Sequence, residues 1–262
     1  MHIPFYQVDA FSDKPFHGNP AAVCPLPAWL PDEQMQAMAG EHNLAETAFL
    51  IPHQQGFAIR WFTPTVEVDL CGHATMAAAH VAFHELGFSE AVLPLFSPRS
   101  GALSVSRKGE KLFLDFPADN DITSLPSLAG LEESLGTKPL EIYRARTDVL
   151  VRLETEADVI NLAPDLHQLK NIEARGVIVT APGSKSDFSS RFFAPQAGVP
   201  EDPVTGSAHT TLIPYWAKKL GKTELFARQL SAREGELWCK DLGERVEIGG
   251  HTCMYSKGEI SL

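Results

Sequence analysis

The stretches Arg60-Trp-Phe-Thr-Pro64 and Arg191-Phe-Phe-Ala-Pro195 are one phrase written twice. Seven residues after its proline, each leads to a reactive side chain, Cys71 in the first copy and Asp202 in the second. Beyond these, Cys71-Gly-His-Ala-Thr75 opens an apolar run ending near Gly87, and Asp202-Pro-Val-Thr-Gly206-Ser207-Ala208 opens one ending near Gly221. Upstream, strand-like runs end at Pro52 and Pro182, which sets Glu46 opposite Gly176. A unit present in only two copies predicts two like lobes with a cleft between them, not a solenoid. Chemistry that differs between the copies is expected in that cleft.

The bulk properties agree with two lobes. The 262 residues, 44% of them hydrophobic, suffice for two cores of about 130 residues each without disulfides. The expected division is 1–118 and 119–262, through the polar, proline-bearing stretch 117–137, with the last strand free to cross back to the first lobe. A formal net charge of -11 argues against nucleic acid, whose phosphates call for clustered Lys and Arg. Cys24, Cys71, Cys239 and Cys253 are widely spaced with no CxxC pair, and the start carries strand-like Ile3, Phe5 and Val8 rather than a basic, then apolar, leader. These features point to a reducing, cytoplasmic setting. No stretch approaches the roughly 20 apolar residues of a membrane helix.

Along the chain, alternation over 2–10 and an apolar run at 21–24 read as strands around the breaker Gly18-Asn19-Pro20. Pro31-Asp-Glu-Gln opens a short helix with acids in its first turn. Strands are expected at 47–51 and 57–63, a buried helix over 74–86, and strands at 93–96, 103–107 and 111–116. The second lobe repeats the scheme: strands at 141–145 and 149–154, a helix over 164–174, strands at 176–181 and 189–193, and a helix over 207–219. Four further strands follow, at 224–230, 236–240, 245–249 and 253–261. A central helix wrapped by antiparallel strands fits this order better than alternating βαβ units.

Four places can carry chemistry. Small residues at Gly72 and Gly206-Ser207 leave backbone N–H groups open at two helix starts, which together suit a small carboxylate; the alternative is ordinary capping by Thr205 or Ser207. Glu46 interrupts an apolar run where a strand begins. It is either a solvent-facing edge residue or a carboxylate kept for acid/base work with its pKa raised by partial burial. His73 is placed to cap its helix or to bond a substrate. Together with His80 and His84 it raises a metal site, but no HExxH-like pattern is completed, and no metal is expected. A two-thiol racemase needs Cys at both repeat positions, and position 202 is Asp. Proton chemistry here is therefore asymmetric, Cys71 is read first as a small buried filler, and Glu201-Asp202-Pro203 is also compatible with a plain turn.

Gly18-Asn-Pro-Ala-Ala-Val23, Asn43-Leu-Ala-Glu46-Thr-Ala-Phe49, Arg60-Trp-Phe-Thr-Pro64 with Leu70-Cys-Gly-His-Ala-Thr75, and Glu201-Asp-Pro-Val-Thr-Gly206-Ser-Ala208 together resemble the phenazine biosynthesis PhzF-like protein family. The likeness runs on to Gly249-Gly250 and Ser256-Lys-Gly-Glu-Ile-Ser261. It implies an α+β, diaminopimelate-epimerase-like fold: two pseudo-symmetric lobes, each a barrel-like, mostly antiparallel sheet around a central helix, often in a homodimer. It also implies a cofactor-independent isomerase of a small carboxylic acid. By the same resemblance Glu46 shuttles the proton, His73 and Asp202 are the other active-site residues, and Gly72 and Ser207 lie where the substrate carboxylate is held. The rival expectations are an amino-acid racemase or epimerase, and a non-catalytic small-acid binding protein of the same fold.

Overall fold

The computed structural model describes residues 1–262, and these divide into two compact units, 1–115 with 249–262, and 116–248. No helix is long and apolar enough to cross a membrane.

In the first unit, β1 (His2–Ala10) runs antiparallel to β2 (Asn19–Pro25). Helix α1 (Asp32–His42) crosses over to β3 (Glu46–His53), which lies parallel to β2, with Ala21 opposite Glu46. β4 (Gly56–Phe62) pairs antiparallel with β3 and with the short β5 (Glu67–Val68). Helix α2 (Gly72–His84) then crosses to β6 (Val92–Ser97), parallel to β4, and β7 (Gly101–Lys108) and β8 (Lys111–Pro117) add antiparallel strands.

The second unit replays this order. β9 (Thr123–Leu125) and the short helix α3 (Leu131–Leu135) occupy the stretch read as a divider. β10 (Glu141–Arg144) pairs antiparallel with β11 (Val149–Arg152), and α4 (Glu156–Asn161) and α5 (Leu166–Leu169) cross to β12 (Val177–Pro182), parallel to β11. β13 (Phe188–Ala194) pairs antiparallel with β12 and with β14 (Val199–Asp202). Helix α6 (Gly206–Leu220) crosses to β15 (Glu224–Gln229), parallel to β13, followed by β16 (Gly235–Asp241) and β17 (Arg245–Gly250). The last strand, β18 (Thr252–Ser261), pairs antiparallel with β1 from His2 to Ala10. That ladder places residues 249–262 with the first unit.

The sheets are mostly antiparallel, as expected, with parallel steps at β2–β3, β4–β6, β11–β12 and β13–β15, where helices join the strand pairs. One expectation needs correction. The helix expected over 164–174 ends at Leu169. Past it, the carbonyls of Glu173 and Ala174 accept from the side chains of Arg144 and Gln196 and do not extend a helical ladder.

The repeated phrase has one structural job in both units. The Arg60 guanidinium forks onto Glu67 through Nε and Nη2 at 2.7 and 2.8 Å and lies 5.1 Å from the Phe62 ring. Arg191 forks onto Glu201 through the same two nitrogens at 2.6 and 2.9 Å and lies 4.8 Å from Phe193. A planar five-donor fork suits this role because two parallel charge-assisted bonds fix the angle at which β5 or β14 leaves its neighbour.

Helix α2 follows from its composition. An Ala-rich segment with ten of its thirteen residues buried has no polar face to give to water, so it must be enclosed. It packs against β1, β2, β3, β7 and β18, and its small side chains let those strands approach. α1 instead buries one stripe, Met35, Met38 and Ala39, against Ile3, Cys24, Phe49 and Phe62. In the second unit α3, α4 and α5 supply Leu131, Leu135, Val159 and Leu169 to a core with Val149, Val151, Val177, Val179 and Phe193.

Candidate functional site

Glu46 is the first residue of β3, three residues beyond Asn43, which closes α1 in the left-handed conformation at φ 49°. Asn tolerates that conformation because its short amide can bond locally. The turn delivers the Glu46 side chain to the start of α2, where its Oε2 lies 3.0 Å from His73 Nε2. The side chains are 18% and 7% exposed, so this is a largely dry pair, not the half-exposed strand carboxylate offered as an alternative. Gly72 is the first helical residue beside it. Cys71, the N-cap, makes no side-chain capping bond; its sulfur lies 3.5 Å from His73 Nδ1, and Asn19 Nδ2 is 3.2 Å from the same nitrogen.

The electrostatics follow from this crowding. Burial works to raise the Glu46 pKa, but the adjoining His73 charge and hydrogen bond outweigh it, and the carboxyl sits below its ordinary range. This reverses the direction expected from the sequence, because the fold supplies a cation that the linear pattern does not show. Burial likewise opposes charging His73, yet Cys71 and Glu46 carry the ring's pKa well above its usual value. The Cys71 thiol is itself pushed up to about 11, by burial first and then by the Glu46 charge. The close carboxylate–imidazole pair of the cluster is Glu46 with His73. An imidazolium donates from both nitrogens, so the charged form calls for Asn19 to turn its amide oxygen toward Nδ1, a flip that leaves the side chain in place.

In the second unit, the matching place before β12 is Gly176. A Cβ there would sit 2.3 Å from the Phe192 ring, so an aromatic ring fills the space and no carboxylate can. Asp202 ends β14, and its Oδ2 accepts from Thr205 Oγ1 at 2.5 Å. Thr205 is the α6 N-cap, yet its side chain makes no capping bond. Gln229 clamps the loop from beneath: its Nε2 donates to the Asp202 carbonyl and to Thr205 Oγ1 at 2.9 and 3.0 Å, and its Oε1 accepts from Thr205 N at 2.8 Å. Gly206 opens α6, followed by Ser207.

Arg175 and Gln229 were missed in the sequence. Arg175 pairs through Nε and Nη2 with the buried Asp148, lies 5.4 Å from the Phe192 ring, and donates from Nη1 to Ser207 Oγ at 3.0 Å. A hydroxyl that accepts from a guanidinium has its own hydrogen left to donate. No spacing rule joins Arg175 or Gln229 to Ser207 or Asp202; the only available signal was an isolated Arg just before the Gly that matches Glu46.

The structure thus brings Glu46, Gly72 and His73 together in one unit, with Cys71 added. It brings Asp202, Gly206 and Ser207 together in the other. His80 and His84 have their own arrangement: the rings are 4.5 Å apart, and His80 Nδ1 bonds Thr252 Oγ1 at 2.7 Å. The residues that could hold a cation are Glu46, Cys71 and His73, whose donor atoms lie within 4.8 Å of one another.

Residues 8–258 match the family described as phenazine biosynthesis-like protein. A protein of Pseudomonas aeruginosa named an uncharacterized isomerase is 53% identical over 262 residues, covering 100% of both chains. The crystal structure of a PhzF-family phenazine biosynthesis protein from Enterococcus faecalis superposes with a TM-score of 0.97 at 47% identity, over 100% of both chains. A hydroxyproline epimerase from Agrobacterium vitis shares the fold, with a TM-score of 0.63 at 10% identity, over 100% of this chain and 93% of that one. Epimerase-like architecture, the matched family and full-length similarity to named isomerases converge: the chain belongs to the phenazine biosynthesis-like protein family.

Proposed function

We propose that the protein is a cofactor-independent isomerase that moves a proton within a small, unsaturated or amino-bearing carboxylic acid, with Glu46 as the residue that transfers it. The observation that carries this reading is the 3.0 Å Glu46–His73 pair, buried in one unit and without counterpart at Gly176 in the other. A dry carboxylate held ionised beside an imidazolium is ready to accept a proton from carbon. Once Glu46 is protonated, His73 loses its counter-charge, which favours return of the proton to the substrate at a second position. Both steps use one carboxyl group and consume no co-reactant.

Asp202 takes the role of orienting the substrate, and Gly72, Gly206 and Ser207 that of binding its carboxylate, with Ser207 donating the hydrogen that Arg175 leaves it. Helix starts and aligned donors favour negative charge in the ground state and more so as charge develops. A two-thiol racemase is disfavoured: position 202 is Asp, and burial first, then the Glu46 charge, pushes the Cys71 thiol up to about 11, so little thiolate is present to act as a base.

The test is incubation of the full-length enzyme with a cell metabolite extract, followed by mass-balanced NMR. An acid that disappears while an equal-mass product appears supports the isomerase. Saturable binding of an acid with no new product would replace it with a small-acid binding protein.

A further inference from the structure

Asp202 ends β14 and Thr205 caps α6, and the loop between them is held from the end of β15. Gln229 is the last residue of that strand, wholly buried, and sits between Ser190 of β13 and Gly235 of β16. Buried side chains take the loop's backbone groups one by one. Gln229 Nε2 donates to the Asp202 carbonyl, Ser231 Oγ to the Pro203 carbonyl at 2.8 Å, and His209 Nδ1 to the Thr205 carbonyl at 2.8 Å, while Gln229 Oε1 accepts from Thr205 N.

The directions within this network are forced. A carbonyl can only accept and a backbone N–H can only donate, so the Gln229 amide has one orientation, oxygen toward Thr205 N and nitrogen toward the Asp202 carbonyl, at 2.8 and 2.9 Å. Its other hydrogen reaches Thr205 Oγ1 at 3.0 Å. With the hydroxyl accepting there, its single hydrogen goes to Asp202 Oδ2 at 2.5 Å. Thr205 thereby forgoes the bond that an N-cap Thr ordinarily makes to its own helix. In the first unit the strand after α2 also has six residues, and its last, Ser97, gives its hydroxyl to its own turn, accepting from Arg99 N and Ser100 N at 3.2 Å. The clamp from Gln229 belongs to the unit whose loop carries the carboxylate.

We propose that Gln229 and Thr205 are positioning residues that act through Asp202: Gln229 fixes the direction of the Thr205 hydroxyl, and that hydroxyl holds Asp202 as a carboxylate in one orientation. The proposal rests on the reading of Asp202 as the group that orients the substrate. A charge-assisted bond from a buried, pre-aimed donor favours the carboxylate over the acid, and a loop held at both ends needs no reorganisation when a substrate arrives.

The first readout needs no substrate. In full-length protein carrying ¹³C-labelled aspartate, the Asp202 carboxyl resonance, assigned by its absence in Asp202→Asn, is followed against pH. Thr205→Val and Gln229→Met should each move its midpoint upward, by about one pH unit in Thr205→Val, whereas Thr205→Ser, which keeps the hydroxyl, should hold the wild-type midpoint. Circular dichroism checks that each variant is folded. An unmoved midpoint in either folded variant, or a midpoint in Thr205→Ser displaced as far as in Thr205→Val, would overturn the proposal. The second readout uses the acid found in the metabolite screen. Gln229→Met should lower kcat/KM about ten- to a hundredfold in the wild-type background and have no further effect in the Asp202→Asn background. Equal losses in both backgrounds would show that Gln229 does not act through Asp202. Midpoint shifts as expected in a protein that turns over no acid would sink the isomerase reading and leave the clamp standing, so the two failures are told apart.

Discussion

Arg60 and Arg191 show how a repeated residue is separated from a functional one. Each is held by a bidentate bond to a glutamate and faces an aromatic ring, and their side chains are only 12% and 13% exposed. Removing one partner strands a charge in a poorly solvated place. Glu201→Ala is therefore expected to cost about 3 kcal/mol of stability, read from the urea midpoint, with Arg191 left without a carboxylate and holding only the Val159, Ile160 and Leu162 carbonyls through Nη1. A loss below about 0.5 kcal/mol, the range of an ordinary surface change, would contradict this assignment. The arginines were legible as a repeat, but their partners were not. Glu67 lies seven residues after Arg60 and Glu201 ten after Arg191, so no common spacing joins them. The same holds for Glu46: the sequence singled it out as a charge in an apolar run, yet the shift in its pKa depends on His73, 27 positions away and supplied by the fold.

At the scale of elements, helices with strong local signals were readable and short ones were not. α2 and α6 announce themselves by long apolar runs and glycine-rich starts. α3, α4 and α5 have four to six residues each, too few for a periodic pattern; they exist because their apolar residues close the second core. The parallel steps were hidden for a related reason, since a strand's pattern does not state its partner's direction. α6 also carries a titration. His209 is fully buried, its Nδ1 is 2.8 Å from the Thr205 carbonyl, and burial lowers its pKa to about 4. His80 is lowered to about 4 as well, by burial first and then by His84. The folded values lie below the unfolded one, so the unfolded chain takes up protons first as the pH drops. Stability is then full above about pH 6.5 and is lost as the pH falls toward 4. For His209 the loss is on the order of 3 kcal/mol. His209→Leu should flatten the slope of urea stability against pH over that window. An unchanged slope would show that the ring is not held neutral.

At the scale of the molecule, β18 makes the end of the chain part of the first unit. It pairs with β1 along nine residues, and Leu262 N bonds Met1 O at 2.9 Å. Deleting residues 252–262 should leave β1 with an open hydrogen-bonding edge, lowering the melting temperature and increasing light scattering; a truncated chain that melts at the full-length temperature would argue otherwise. The two units share strand order, crossovers and the arginine forks, and they part where β3 and β12 begin. There Glu46 faces His73 in one unit, while Phe192 fills the space over Gly176 in the other. That asymmetry is the core of the functional account. The most direct test follows formation of the isomerised product by NMR, with a substrate identified in the metabolite screen, for wild type and Glu46→Gln. The account predicts turnover in wild type and a loss of about 10² to 10⁴ in rate for Glu46→Gln with folding intact. Turnover in Glu46→Gln at the wild-type rate would contradict it.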